Sequence, residues 1–185
     1  MLTISPQIDV EFYQPSLFGF NLGNHGHRRY VVGDFIEYMT AKILRGKRHK
    51  CAGNYDYCPD VSVCGKYIEC KAMGKSNQTL IYQGRLEKDR AFVNQGNDLY
   101  YAIWSHNSNT LNFNIVEDLQ FNILINIEWM ALVPFYDIEQ YCLWKKPERL
   151  NSINYGSPEN PLYGSGYRIP KSFVEKWIFF EWEIN

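Results

Sequence analysis

The first clear pattern along the chain is a stripe of apolar residues at helical spacing. Within segment 30–44 these residues recur three or four positions apart, namely Val32, Phe35, Ile36, Met39 and Ile43. This spacing predicts an amphipathic helix. Gly46 follows with basic residues around it, which is typical of a helix C-terminus. Residues 1–28, with two prolines and several glycines, are predicted to form an irregular arm.

Four further elements follow from the pattern up to residue 106. Residues 60–64 and 66–72 resemble two short strands, and Gly65 between them indicates a tight hairpin. Residues 78–94 have helix-forming content and predict a second helix. The aromatic and β-branched segment 99–105 predicts a buried strand. The predicted order is therefore helix, strand, strand, helix, strand.

The C-terminal part has weaker patterns. Residues 111–116 alternate and predict an edge strand, whereas segments 117–124 and 127–144 look partly helical. Residues 145–170 contain four of the eight prolines, so we expect a long loop there. A last helix is predicted over 170–183, because a proline at its start and an apolar stripe favour one.

The composition is that of one globular domain. The chain has 185 residues, 45% of them hydrophobic and 16% aromatic, which is enough apolar surface for one core. No apolar run approaches the roughly 20 residues needed to cross a bilayer. The first 27 residues contain no Lys or Arg, which is not the pattern of a signal peptide. We therefore expect an intracellular, cytoplasmic protein with no membrane partner.

The cysteines allow two interpretations. Four of the five fall within a 20-residue window, at positions 51, 58, 64 and 70. Clustered cysteines can hold structural zinc, but here no two of them form the close pair that such sites usually present. The odd total also argues against a disulfide framework. We favour free thiols and keep a zinc-stabilised interaction domain as an alternative.

The net charge of −1 conceals an asymmetry. Residues 1–90 carry an excess of four positive charges, and residues 91–185 an excess of five negative charges. A nearly neutral protein with one basic face can still bind a polyanion at that face. The candidate phosphate contacts flank the first predicted helix and are Arg28, Arg29, Arg45, Lys47, Arg48 and Lys50. The loop region 145–171 is a second candidate surface, because it has Lys145, Lys146, Arg149, Arg168 and Lys171 among several tyrosines.

The chemically informative stretch is residues 59–71, PDVSVCGKYIECK. Alternate residues of a strand project to the same side, so Glu69 and Lys71 should share a face opposite Cys70. Asp60, on the neighbouring strand of the hairpin, can reach that same face. Two carboxylates with room for water suit Mg²⁺, and a lysine beside them can help a water molecule attack phosphorus.

These residues resemble the active site of the PD-(D/E)XK nuclease superfamily. Pro59 and Asp60 match the start of its motif, and Glu69-x-Lys71 matches the end; each pattern occurs once in this chain. The resemblance implies a restriction-endonuclease-like α/β fold, a central mixed sheet flanked by helices in the order α-β-β-β-α-β. The expected core is about 30–106, within a single domain of 1–185 that adds an N-terminal arm and, from about 107, a C-terminal extension with a long loop and a last helix.

The resemblance also implies roles for individual residues. Asp60 and Glu69 would hold the metal, with the Cys70 carbonyl and with Glu37 of the first helix. Lys71 would orient the attacking water and stabilise developing charge. In the second predicted helix, Gln83 and Arg85 are candidates for a place near the scissile phosphate.

The implied activity is that of a Mg²⁺-dependent DNA endonuclease, with Mn²⁺ as a possible substitute. The expected substrate is double-stranded or branched DNA, and the products carry a 5′-phosphate and a 3′-hydroxyl. One site cuts one strand, so a double-strand cut would need a homodimer.

Other interpretations of the same residues remain open. Asp60 can be a turn residue after Pro59, and Glu69 and Lys71 can be an exposed charge pair on a strand. Glu37 can be an ordinary solvated glutamate, and Asp56 is a competing carboxylate. A nucleic-acid-binding module of the same fold without catalysis is a further alternative function.

Overall fold

The computed structural model describes residues 25–49, 57–107, 113–115, 121–123, 126–149 and 164–181. These residues form a mixed α/β architecture around one central sheet. Helix α1 spans His25–Leu44, which contains the predicted helix and begins before the predicted boundary of the arm. The remainder of the arm lies outside the described residues.

The first half of the chain contributes the strands and the helix that surround the motif. After α1 come β1 (Lys47–Arg48), β2 (Val61–Val63), β3 (Lys66–Met73), β4 (Gln78–Tyr82), α2 (Gln83–Val93) and β5 (Asp98–Asn107). The hairpin prediction and the buried-strand prediction are therefore confirmed. The prediction of a helix over 78–94 is wrong for residues 78–82, which form strand β4 and pair with a strand from later in the chain. The helix begins only at Gln83.

The second half consists mainly of strands. Its elements are β6 (Phe113–Ile115), β7 (Phe121–Ile123), β8 (Asn126–Pro134), α3 (Phe135–Leu143), β9 (Glu148–Arg149), β10 (Ser165–Pro170), α4 (Lys171–Val174), a 3₁₀ turn (Glu175–Trp177) and β11 (Ile178–Glu181). The partly helical prediction for 117–124 is wrong at 121–123, which form strand β7, and the prediction for 127–144 holds only after Pro134. The predicted last helix is a single turn, because its second half pairs with β8 as a strand.

The central sheet has six strands in the order β1-β2-β3-β5-β8-β11. Strand β3 pairs antiparallel with β2 and parallel with β5, so the sheet is mixed. The parallel pair is possible because α2 forms the crossover between its two strands. Strands β8 and β11 lie in the predicted C-terminal extension, which therefore completes the sheet.

Buried side chains lie on both faces of this sheet. One cluster joins α1 to the sheet and includes Phe35, Ile36 and Trp104. The other cluster lies on the opposite face, beside α2, α3 and α4, and includes Tyr101 and Trp129. A smaller sheet in the order β4-β10-β9 adjoins that second cluster, through Ile81 and Ile169. Two of its strands, β9 and β10, lie in segment 145–170, which was predicted to be a long loop. Residues 150–163 of that segment lie outside the described residues.

The described part of the chain contains no helix long and apolar enough to cross a membrane.

Candidate active site

A tight hairpin turn positions the two halves of the motif. Cys64 and Gly65 both have positive φ, at 49° and 78°, which is the geometry of a two-residue type I′ turn. The turn fixes the register of β2 and β3 so that Val61 lies opposite Ile68. Continued by one residue, this register brings Asp60 opposite Glu69.

The carboxyl group of Asp60 is bound to the neighbouring strand. Its Oδ2 accepts a hydrogen bond from the backbone N–H of Cys70, at 2.7 Å. Burial, together with the negative charges of Glu69 and Glu37, raises the pKa of Asp60 to about 8, against the opposing effects of Lys71 and of the Cys70 hydrogen bond. Asp60 is thus a partly buried carboxyl group within electrostatic range of two other carboxylates.

Glu69 and Lys71 share a face of β3, as strand alternation predicts. Glu69 is only 2% exposed, and its two oxygens accept hydrogen bonds from different cations, Oε1 from Lys71 and Oε2 from Arg85. Cys70 lies on the opposite face, where its thiol donates to Thr40 of α1 at 3.3 Å. Although burial lowers the pKa of Lys71, the charges of Glu69 and Asp60 outweigh that effect and raise it. An exposed surface pair therefore does not describe Glu69 and Lys71.

A buried polar network on α2 extends this cluster. Asp89 is fully buried, and its carboxylate accepts hydrogen bonds from Arg85 Nε at 3.0 Å and from Tyr57 at 2.6 Å. Tyr101 of β5 donates to its other oxygen. Burial raises the pKa of Asp89, which Arg85 and the two tyrosines oppose. The result is a continuous chain of contacts from Asp89 through Arg85 to Glu69.

The network contains three residues that the motif did not single out, namely Tyr57, Asp89 and Tyr101. Asp89 had one available signal, because Arg85 and Asp89 are four residues apart on a helix and such pairs interact. No local pattern indicated the two tyrosines, because Tyr57 lies in the loop before β2 and Tyr101 lies on β5, both distant in sequence from Asp89.

Glu37 lies near this cluster but has a partner of its own. Arg48 of β1 donates to it from Nε at 3.0 Å and from a terminal nitrogen at 2.7 Å, and also binds Asp34. Burial raises the pKa of Glu37; Arg48 lowers it, and the charges of Asp34 and Glu69 raise it. The structure thus puts Glu37 within electrostatic range of Glu69 and Asp60 while it is paired with Arg48.

Gln83 lies at the first position of α2, toward the smaller sheet. Its amide donates to Glu87 at 3.3 Å and accepts from Ser165 of β10 at 2.8 Å. From the same helix, Arg85 is the residue that contacts Glu69.

The candidate phosphate contacts fall into three groups. Arg45 and Lys47 are exposed at the end of α1 and in β1. Arg48 and Arg85 are engaged with carboxylates, as described above. Lys50 and the side chains of Arg28 and Arg29 lie outside the described part of the structure, although the backbone of both arginines belongs to α1.

Across the described ranges, no group of three or more His, Cys, Asp or Glu side chains is arranged to hold a metal ion. Cys64 is exposed in the hairpin turn, whereas Cys70 is buried under α1, so these two thiols face different environments. Cys51 and Asp56 lie outside the described residues.

Comparison with known proteins adds no family. No protein-family model matches the chain, and none of the curated proteins with which it was compared matches it.

Proposed function

We propose that this protein is a metal-dependent DNA endonuclease that hydrolyses phosphodiester bonds at a site formed by Asp60, Glu69 and Lys71. The observation that carries the proposal is the convergence of these three groups at the end of the β2–β3 hairpin. Asp60 is bound to the backbone between Glu69 and Lys71, and Lys71 is bound to Glu69. The spacing in the sequence and the hairpin register lead to the same cluster.

The donor atoms fit Mg²⁺, with Mn²⁺ as a substitute. Mg²⁺ keeps several water molecules and typically takes only one or two protein carboxylates, here Asp60 and Glu69. A residue's N–H and C=O project from the same edge of an antiparallel strand, so the Cys70 carbonyl is directed toward the side where Asp60 lies. The raised pKa of Asp60 supports the same assignment, because a cation would relieve the repulsion among Asp60, Glu69 and Glu37. Glu37 would join as a ligand only by giving up Arg48.

When bound, such a metal would neutralise charge on the phosphate and make water more acidic. Lys71 has a raised pKa, so it is an ammonium group at neutral pH and donates hydrogen bonds rather than accepting a proton. Its role is to orient the attacking water and to stabilise negative charge on the phosphorus oxygens. Attack at phosphorus breaks the bond to the 3′ oxygen, which takes up a proton. The products are a 5′-phosphate and a 3′-hydroxyl.

DNA is the proposed partner because basic residues lie close to this end of the sheet. Arg45 and Lys47 are exposed, and β1, which carries Lys47, pairs directly with β2. Phosphate contacts of this kind supply affinity but no base specificity. A homodimer is the proposed assembly for cutting both strands of double-stranded or branched DNA.

A second candidate function is DNA binding without catalysis. It is favoured by one observation, that both oxygens of Glu69 already have cationic partners. A cluster of charges closed in this way can be purely structural.

Nicking of supercoiled plasmid in Mg²⁺, Mn²⁺ or EDTA distinguishes the two functions. Lys71→Met and Asp60→Asn should each reduce nicking by about a hundredfold or more, because each removes a group that acts in the transition state. Lys66→Met is the matched control, since Lys66 lies on the same strand and is exposed beside Tyr100. DNA binding without metal-dependent nicking in the wild type would favour the second function.

A further inference from the structure

Arg85 forms an ion pair with Glu69, the carboxylate to which the proposed function assigns a metal ion. One terminal nitrogen of its guanidinium binds Glu69 Oε2, and its Nε binds Asp89 Oδ1 at 3.0 Å. Its Cζ lies 4.7 Å from the centroid of the Tyr57 ring. The guanidinium is therefore held between two buried carboxylates and against an aromatic face.

Asp89 is the second carboxylate that binds Arg85, and its environment makes this ion pair costly to break. Its carboxylate is fully buried, and both oxygens are used, one by Arg85 and Tyr57 and the other by Tyr101. A buried carboxylate loses much stability if its cation leaves, because water cannot replace the partner. Glu69 is buried as well, but it keeps Lys71 as a second cation, whereas Arg85 is the one cation that pairs with Asp89 among the described residues. Arg85 can therefore leave Glu69 at a lower cost than it can leave Asp89.

A divalent cation on Glu69 and the guanidinium of Arg85 cannot both sit close to Oε2 without strong repulsion. We propose that Arg85 is an internal competitor of the metal: it pairs with Glu69 in the metal-free protein and swings away when the metal binds, with Nε remaining on Asp89. Asp89 is then a positioning residue that retains the displaced arginine. The inference rests on the proposed function, which supplies the metal, but it concerns the affinity of the site and not the cleavage step.

Calorimetric titration with Mn²⁺, in the absence of DNA, tests this competition. Arg85→Met should bind Mn²⁺ about tenfold more tightly than the wild type, because the competing charge is gone. Arg90→Met is the matched control on the same helix: it breaks the ion pair with Glu139, away from the site, and should leave the affinity unchanged. An Arg85→Met affinity equal to or weaker than that of the wild type would overturn the proposal.

Asp89→Asn separates competition from a merely structural role. With Asp89 neutral, Glu69 is the only carboxylate left to Arg85 in this network, so displacement costs more and Mn²⁺ should bind several-fold more weakly. Damage to a structural network would instead weaken binding in both variants. Because Arg85→Met leaves Asp89 buried without its cation, the double variant Arg85→Met/Asp89→Asn is included, and it should bind as tightly as Arg85→Met.

The failure of this inference can be told from failure of the proposed function. If the wild type binds Mn²⁺ and nicks DNA but Arg85→Met binds no more tightly, only the competition is refuted. If neither the wild type nor the variants that lack Arg85 bind Mn²⁺, both are refuted.

Discussion

Among single residues, Asp60 has an environment that strongly disfavours its ionised form. It is a partly buried carboxyl group beside Glu69, and it accepts one hydrogen bond from the backbone N–H of Cys70. Burial and the two neighbouring carboxylates make its ionised form costly in the folded protein. Such a group retains its proton at a pH at which an exposed aspartate has long since lost it.

This environment predicts how stability depends on pH. Between the ordinary pKa of 3.8 and the folded value of about 8, the folded protein keeps a proton on Asp60 that the unfolded chain releases. The free energy of unfolding in the absence of metal should therefore decrease as pH rises through this range, and this contribution should level off above about 8.

Urea unfolding at a series of pH values between 5 and 9 measures this dependence. Asp60→Asn, which cannot ionise, is the control, and the wild-type curve should fall relative to the variant curve as pH rises. Two curves that run parallel across this range would show that Asp60 titrates normally.

At the residue scale, the sequence predicted which side chains share a face of β3, but it did not predict which residues from other elements contact them. Glu69 and Lys71 were expected on one face from strand alternation alone, and the structure has them there. Tyr57 and Tyr101 were not foreseen, because they reach Asp89 through tertiary packing that no local spacing encodes. Gln83 contacts Ser165 of β10, a tertiary contact that its local spacing did not indicate, and its place near the reacting phosphate stays a prediction.

Among the elements, the C-terminus of α1 packs closely against the β2–β3 hairpin that carries the candidate site. Helix α1 ends in a Schellman-type turn, in which Arg45 has φ of 54° and the N–H of Gly46 donates to the Ala41 carbonyl at 2.8 Å. Gly46 then lies directly against β2. A Cβ added to it would be 2.4 Å from Val63 Cγ2 and 2.7 Å from the Ser62 carbonyl oxygen.

Replacing Gly46 should therefore separate α1 from the hairpin. Gly46→Ala should reduce the free energy of unfolding by about 1–3 kcal/mol, because part of the clash is with backbone. Gly33→Ala, in the interior of α1, is the matched control: its Cβ would meet nothing within 4 Å, and it should stabilise the helix by about 0.5–1 kcal/mol. Urea denaturation measures both, and a Gly46→Ala variant as stable as the wild type would contradict this packing.

Two of the wrongly predicted elements share one physical cause. Strands β4 and β11 were expected to be helical, and each owes its conformation to a partner distant in sequence, β10 and β8 respectively. Pairing of this kind overrides local propensity. For 127–144 a local signal did exist, because Pro134 disfavours helix in the residue before it, and the helix starts only after that proline.

At the scale of the whole molecule, one sheet brings together both halves of the chain. The half with the positive excess supplies the candidate site, and the half with the negative excess supplies β8 and β11. The charge asymmetry therefore does not divide the fold into separate units. It provides a basic flank beside β2, where Arg45 and Lys47 are exposed, and the proposed DNA contact lies at that flank.

The most direct test of the central claim locates a metal ion without requiring the correct DNA substrate. Crystals of the protein soaked in Mn²⁺ should show an anomalous-scattering peak within bonding distance of both Asp60 and Glu69, at about 2.0–2.3 Å from their oxygens. Crystals of Asp60→Asn, treated identically, should show a much weaker peak or none. If saturating Mn²⁺ gives no peak between these two carboxylates in the wild type, the Asp60–Glu69–Lys71 cluster is not a metal-dependent active site.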